Sequence, residues 1–164
     1  MKGLGAENGA DFRELVKKYA KKYVDGQMVT IVPVTTDGKI IINRQYRKSS
    51  SEWGYELPGG KIEGKEKPEE AAARELEEET GFRAGKLTIL FTAYLISGIN
   101  SKKSYFYLAE DLHEGIPKRE PGELIETIKV SKNSLMDMIK SGEIADCKSL
   151  SCMLYYFSVA KSKN

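Results

Sequence analysis

Between residues 66 and 79 the chain places Glu66, Glu69, Glu70, Glu75, Glu77, Glu78 and Glu79 against Lys67 and Arg74, a local charge of −5 in a protein of net charge +2. So dense a run of like charge repels itself and asks for a cation. Pro68 suits the first position of a helix, Ala71, Ala72 and Ala73 are strong helix formers, and Gly81 stands where a left-handed cap belongs. The spacing therefore predicts a helix over 68–80. At about 100° per residue, Glu75, Glu78 and Glu79 share one arc, while Ala72, Ala73, Leu76 and Thr80 occupy the next and can pack on a sheet. Carboxylates are hard oxygen donors, which suit Mg²⁺ or Mn²⁺. Glu77 points away as solvated charge, and Arg74, one turn before Glu78, can hold that carboxylate. The plain alternative for an Ala/Glu-rich run is a soluble surface helix with no site.

The remaining elements must present that helix to a substrate. Residues 11–23 place Phe12, Leu15, Val16, Tyr19 and Tyr23 at helical spacing, predicting an amphipathic helix on the body or on a second subunit. Its lysines read as a solvated face rather than an anion-binding one. Strands are expected over Met28–Val34 and Lys39–Arg44, joined as a hairpin through Thr36-Asp37-Gly38, and again over Glu52–Leu57. Lys86–Ile96, Lys103–Ala109 and Leu124–Val130 read as further strands. Ser131 can cap a helix that Gly142 stops, and Asp146 can cap a last helix with a buried stripe of Leu150, Met153, Leu154 and Phe157. The whole reads as one α/β unit, with residues 1–26 as a helical N-terminal region and 27–164 as the domain.

Composition removes several alternatives. A chain of 164 residues with 40% hydrophobic and 30% charged residues describes one soluble globular domain. A net charge of +2 does not demand nucleic acid or an acidic membrane. No run approaches the ~18 apolar residues of a spanning helix, and no secretory signal is visible, so the cytoplasm is the expected location. Cys147 and Cys152 form neither a disulfide framework nor a CxxC site, and a lone His113 argues against a Ser-His-Asp triad. The chemistry must rest on carboxylates and backbone.

Gly60, five residues, Glu66, seven residues, then Arg74-Glu75-Leu76-Glu77-Glu78-Glu79-Thr80-Gly81-Phe82 resembles the Nudix box, G-x5-E-x7-R-E-U-x-E-E-x-G-U with U apolar, at every specified position. The resemblance implies an α/β/α sandwich with a mixed β-sheet. It also implies hydrolysis of a nucleoside diphosphate linked to another moiety, by water attack on phosphorus with Mg²⁺ or Mn²⁺. Carried over by position, Glu75, Glu78 and Glu79 are the implied metal ligands, with the Gly59 carbonyl as the backbone ligand. A narrower likeness is to the ADP-ribose pyrophosphatases. It runs through Arg44-Gln45-Tyr46-Arg47, Trp53 to Gly60, Tyr107 to Leu112, Glu123 to Glu126 and Gly142 to Lys148. It implies a homodimer, and makes Arg47 the candidate for substrate phosphates, with an exposed hairpin arginine as the alternative.

Glu56 is assigned to the substrate or a partner subunit. Glu123, with Glu120 second, takes the position of a glutamate that activates water, or else is plain loop charge. Trp53 offers a flat surface for a purine, or is a core or dimer-interface residue. Of Tyr105 and Phe106, alternating along a strand, at most one can face a cleft. The likeness fails at Ser97-Gly98-Ile99-Asn100-Ser101-Lys102, where that branch carries a proline and then a glutamate; Lys102 and Lys103 there read as a terminal-phosphate contact or as solvated lysines.

Three functions compete at this point. The first is a pyrophosphohydrolase of ADP-ribose or a related nucleoside diphosphate sugar, giving AMP and ribose 5-phosphate from ADP-ribose. The second applies the same chemistry to nucleoside triphosphates or RNA 5′ ends, although scattered lysines disfavour RNA and no DNA-binding segment is visible. The third is a non-catalytic ligand sensor, against which the complete set of Glu66, Arg74, Glu75, Glu78 and Glu79 argues.

Overall fold

Strands that are apolar on both faces need cover on both faces, and this requirement sets the architecture. A computed structural model of the chain describes residues 26–95 and 103–160. The helix expected over 11–23, the segment 97–102 with Lys102, and the tail 161–164 lie outside the described residues. Strand β1 (Val29–Pro33) is buried at every position. It pairs in parallel with β5 (Ser104–Glu114), which pairs antiparallel with β4 (Phe82–Ala93), giving the order β1-β5-β4. A second, antiparallel sheet has β2 (Ile40–Arg47) between β3 (Glu52–Glu56) and β6 (Ile125–Val130).

Side chains alternate between two cores. Val29, Ile31, Ile41, Tyr107 and Ala109 pack with Ala71, Ala72 and Leu76 of helix α1 (Pro68–Thr80). Val32, Ile40, Ile42 and Phe106 turn the other way, onto Leu135 of α2 (Lys132–Ser141) and Cys152 and Met153 of α3 (Cys147–Tyr155). Helix, sheet layer and helices form the expected α/β/α sandwich, and the parallel β1–β5 pair makes its first sheet mixed.

Several expectations are corrected. The turn at Asp37-Gly38 forms, with Gly38 at φ +77° and its N–H donating to Thr35 O at 2.9 Å, but it does not join a hairpin. Beyond one Val34–Ile40 bridge the flanking strands enter different sheets. One edge of β1 is taken by β5, and the other donates from Val29 N to Gly60 O and from Ile31 N to Pro58 O, both 2.9 Å. Strand β4 begins at Phe82 and β5 runs on to Glu114, since the two pair backbone to backbone from Phe82–Glu114 onward, with Lys86 on Glu110 at 2.9 Å across the pair.

The stripe on α3 is also different. Met153 is buried as expected, but Leu154 is 47% exposed and Cys152 takes the inward place. The phase is set by Ser149, buried under the N-terminal cap. A π-helical turn from Tyr156 to Ala160 then breaks the α-helical phase, burying Tyr156 and leaving Phe157 half-buried.

The caps themselves are as the sequence indicates. Ser131 accepts from Ser134 N at 3.2 Å, and Gly142 closes α2 at φ +81°. Asp146 accepts from Ser149 N at 3.0 Å and from Ser149 Oγ at 2.7 Å, while Ser149 Oγ accepts from Leu57 N at 2.8 Å. Helix α3 is thereby bolted to the end of β3.

Burial pushes the Asp146 carboxyl up, but Lys148 and Ser149 outweigh it and hold the group below its ordinary value of 3.8. A depressed carboxyl stabilises the fold above its unfolded pKa, and that contribution disappears as pH falls through the folded value. Asp146→Ala is expected to lose about 1–2 kcal/mol at neutral pH, and Asp146→Asn, still a cap, less. Urea denaturation at pH 7 and at pH 3 checks this: the deficit of Asp146→Asn should shrink at the lower pH.

Candidate active site

Helix α1 carries the acids because its local signals all agree. Glu70 reaches back to accept from Lys67 N at 2.8 Å, Pro68 opens the first turn, and Gly81, at φ +80°, donates to Glu77 O at 2.8 Å. Burying Leu76 and Ala72 against the sheets leaves Glu75, Glu78 and Glu79 at the helix's cleft-facing side.

Each acid has its own environment. Glu79 is 6% exposed, and its Oε2 accepts from Asn43 Nδ2 at 2.9 Å and Gly59 N at 3.0 Å. Burial, together with the charges of Glu75, Glu123 and Glu56, pushes its carboxyl up to about 8 despite the bond from Gly59. Burial likewise raises Glu75, against the pull of Arg74. Arg74 holds the group together, donating to Glu66 at 2.7 Å, Glu75 at 2.9 Å, Glu78 at 3.0 Å and Lys61 O at 2.9 Å. The three carboxylates raise the guanidinium, and the bond from Arg74 in turn holds Glu66 below its ordinary value. Glu77 is paired at the surface with Lys118 at 3.0 Å.

The loop before α1 is shaped by two glycines. A Cβ on Gly60 would stand 2.2 Å from a Glu75 carboxylate oxygen, and one on Gly59 would stand 2.3 Å from Val29 O. A side chain at Gly59 would collide with backbone, and one at Gly60 would push the Glu75 carboxylate out of place. With the Pro58 and Gly60 carbonyls bonded to β1, the Gly59 carbonyl between them accepts no hydrogen bond from a described residue.

Opposite the helix, Glu120-Pro121-Gly122-Glu123 forms a tight turn with Gly122 at φ +92°; Glu123 N donates to Glu120 O at 3.1 Å and Glu120 N to Glu123 Oε2 at 3.0 Å. The turn is strapped to α1. Lys118 N donates to Glu78 O at 2.9 Å, and Arg119 donates to Glu79 O at 3.0 Å and Thr127 Oγ1 at 3.1 Å. On the third side Arg47, last residue of β2, grips Glu56 with Nε at 2.8 Å from Oε1 and Nη2 on Oε2. Burial works against its charge, but Glu56, Glu79 and Asp146 raise it.

These groups line one cleft of about 300 Å³ that holds Glu75, Glu78, Glu79, Gly59, Arg47, Glu56, Glu120 and Glu123 together. Trp53 is not among them. It lies on edge strand β3, 42% exposed and under the Arg44 guanidinium at 4.5 Å, so the core reading of this residue is wrong. It lines an adjoining cleft of about 610 Å³, which shares Met28, Arg47, Glu56 and Lys148 with the first. Phe106 is buried in the core, and Lys103 sits over the Tyr94 ring; neither they nor Tyr105 line the first cleft.

Sequence reasoning missed Asn43, Arg119, Lys148 and Ser149. Asn43, fully buried, was signalled by a polar residue on the same strand face as Ile41. Arg119 acts across elements distant in sequence, and Lys148 and Ser149, although both bonded to Asp146 beside them, reach the cleft wall only through the distant Ser149–Leu57 bond.

The donor set suits a divalent cation. It is all oxygen, it includes a buried carboxylate burdened by like charges, and a backbone carbonyl stands among the acids. Among the described residues no three acidic, histidine or cysteine side chains are already drawn into an ion cage, since Arg74 and Asn43 engage the acids.

Comparison with known proteins agrees with this geometry. The NUDIX domain matches residues 26–146. An ADP-ribose pyrophosphatase of Bacillus subtilis is 37% identical over 129 residues, 77% of this chain and 70% of that protein. A methanol dehydrogenase activator of Bacillus methanolicus is 30% identical over 129 residues, with the same shares of 77% and 70%. The crystal structure of an ADP compounds hydrolase superposes with a TM-score of 0.74 at 27% identity, covering 84% of this chain and 74% of the other. On its box, its sandwich and these relatives, the chain belongs to the Nudix family of hydrolases.

Proposed function

We propose that this protein hydrolyses the diphosphate of ADP-ribose or a related nucleoside diphosphate sugar, yielding AMP and ribose 5-phosphate from ADP-ribose, with Mg²⁺ or Mn²⁺ as cofactor. The observation that carries this reading is the convergence of the Nudix-box acids with Arg47 and the Glu120–Glu123 turn on one cleft. The names of its relatives, an ADP-ribose pyrophosphatase and an ADP compounds hydrolase, favour a nucleoside diphosphate over a triphosphate.

Glu75, Glu78, Glu79 and the Gly59 carbonyl would hold the cation. A divalent ion there supplies Lewis-acid chemistry, offsetting diphosphate charge and acidifying water. The protein's own groups do the rest. Arg47, steadied by Glu56, offers its remaining guanidinium donors to a phosphate. Glu123, oriented by the Glu120 N–H, accepts a proton from the attacking water, with Glu120 as the alternative base. Asn43 and Arg119 keep the end of α1 in register with that turn. The exposed Trp53 offers stacking area to the nucleobase in the adjoining cleft. No described helix is long and apolar enough to cross a membrane.

Steady-state assays on ADP-ribose, other nucleoside diphosphate sugars and triphosphates, with products identified in ¹⁸O water, test the substrate class. ADP-ribose or a close relative should be the best substrate; a preference for triphosphates would contradict the reading. Glu78→Gln or Glu79→Gln should cut turnover about a hundredfold or more. Glu79→Gln should also abolish the rise in melting temperature that Mg²⁺ confers on the native chain, and full retention of both properties would remove these acids as ligands. Glu123→Gln should slow turnover by about 10²-fold while leaving that thermal shift intact; unchanged turnover eliminates it as the base.

A further inference from the structure

Resting on that reading of the cleft as a diphosphate site, we propose that Lys148 is a substrate-binding residue, contacting a non-bridging oxygen of the diphosphate where the two clefts meet. Lys148, Arg47 and Glu56 line both cavities, so anything spanning from the acids of α1 toward Trp53 passes these three side chains. A diphosphate brings negative charge into a space already walled by Glu56, Glu75, Glu78, Glu79, Glu120 and Glu123. Arg74 on α1 serves three carboxylates and a carbonyl, and keeps Glu66 and the Lys61 carbonyl where an ion takes Glu75 and Glu78. Arg47 spends Nε and Nη2 on Glu56. Lys148 is engaged by Asp146 alone, through one of three ammonium donors, and its side chain is 25% exposed.

Its position is built rather than incidental. Lys148 lies in the first turn of α3, where a positive charge is disfavoured by the helix dipole. Asp146 offsets that cost, and is itself fixed by Ser149, whose hydroxyl takes the Leu57 N–H at 2.8 Å, two residues before Gly59. The ammonium is thus tied to the same short segment that carries Glu56 and Gly59. Lysine suits the position chemically: a compact charge with donors to spare meets a phosphate oxygen without the planar fit that an arginine requires.

The test compares the native chain with Lys148→Met and Lys148→Arg. Hydrolysis of ADP-ribose is followed at steady state, and binding of a methylene-bridged ADP analogue and of adenosine is followed by calorimetry with Mg²⁺. Lys148→Met should raise KM and weaken the analogue by about tenfold, with a much smaller change in kcat and none in adenosine binding. Lys148→Arg should recover most of the loss. Analogue binding as tight in Lys148→Met as in the native chain overturns the assignment. So does an equal loss for adenosine, or a loss that accompanies a lowered melting temperature and that arginine does not recover. A native chain that binds the analogue with the Lys148 dependence but hydrolyses no diphosphate would instead contradict the proposed function.

Discussion

Keeping several carboxylates out of water at the end of one short helix is costly until positive charge reaches them, because desolvation and mutual repulsion both disfavour the ionised forms. That constraint explains why the acids of α1 are handled as they are. Arg74 gathers Glu66, Glu75 and Glu78 on one guanidinium. Glu79, too deep for it, leans on the Asn43 amide and the Gly59 N–H, and its carboxyl still sits near 8. A divalent ion meets this demand better than either device, since it brings double charge to the one acid that Arg74 does not reach. Family membership and local electrostatics point the same way by independent routes.

The rest of the fold holds that arrangement in place. Strand β1 and the first half of β2, buried on both faces, set α1 on one side and α2 and α3 on the other. Their divergence after Val34 leaves an edge of β1 to the Pro58–Gly60 segment, and this presses the glycine backbone against the acids. Thr127 Oγ1 lies between Asn43 Oδ1 and Arg119, so β2, β6, the 115–123 loop and the last turn of α1 share one partly buried polar network. Such a network is stiff when every member is satisfied, which is what positioning acids around an ion requires. On the far wall, the Asp146–Ser149–Leu57 chain does the same for Glu56 and Lys148.

How much of the molecule could be read from the sequence depends on how local each feature is. Helix α1, its proline start, its glycine cap and the arc of Glu75, Glu78 and Glu79 were legible because every signal lies within a few turns. The Ser131 and Asp146 caps were legible for the same reason. The hairpin through Asp37-Gly38 was misread because the turn is local but the pairing is not. The edges of β1 are decided by β5 and by residues 58–60, far along the chain. The stripe on α3 slipped because the buried Ser149 and the π-helical turn set its phase, and hydrophobicity alone did not mark Leu154 as outward. Arg47 and Glu56 were both singled out, yet their pairing depends on the register of β2 with β3. Asn43 and Arg119 work through Glu79, far along the chain, while Lys148, paired with its neighbour Asp146, reaches the cleft only because the Ser149–Leu57 bond docks its helix there, and no spacing rule reaches that far.

On the proposed function, the acids of α1 trade their present partners for a divalent ion. Diffraction from crystals soaked in Mn²⁺, recorded at the manganese absorption edge, tests it most directly. An anomalous peak is expected, bounded by Glu75, Glu78, Glu79 and the Gly59 carbonyl, with Arg74 retaining Glu66. Manganese density elsewhere in the cleft, with Glu75 and Glu78 still held by Arg74 at saturating ion, would contradict it.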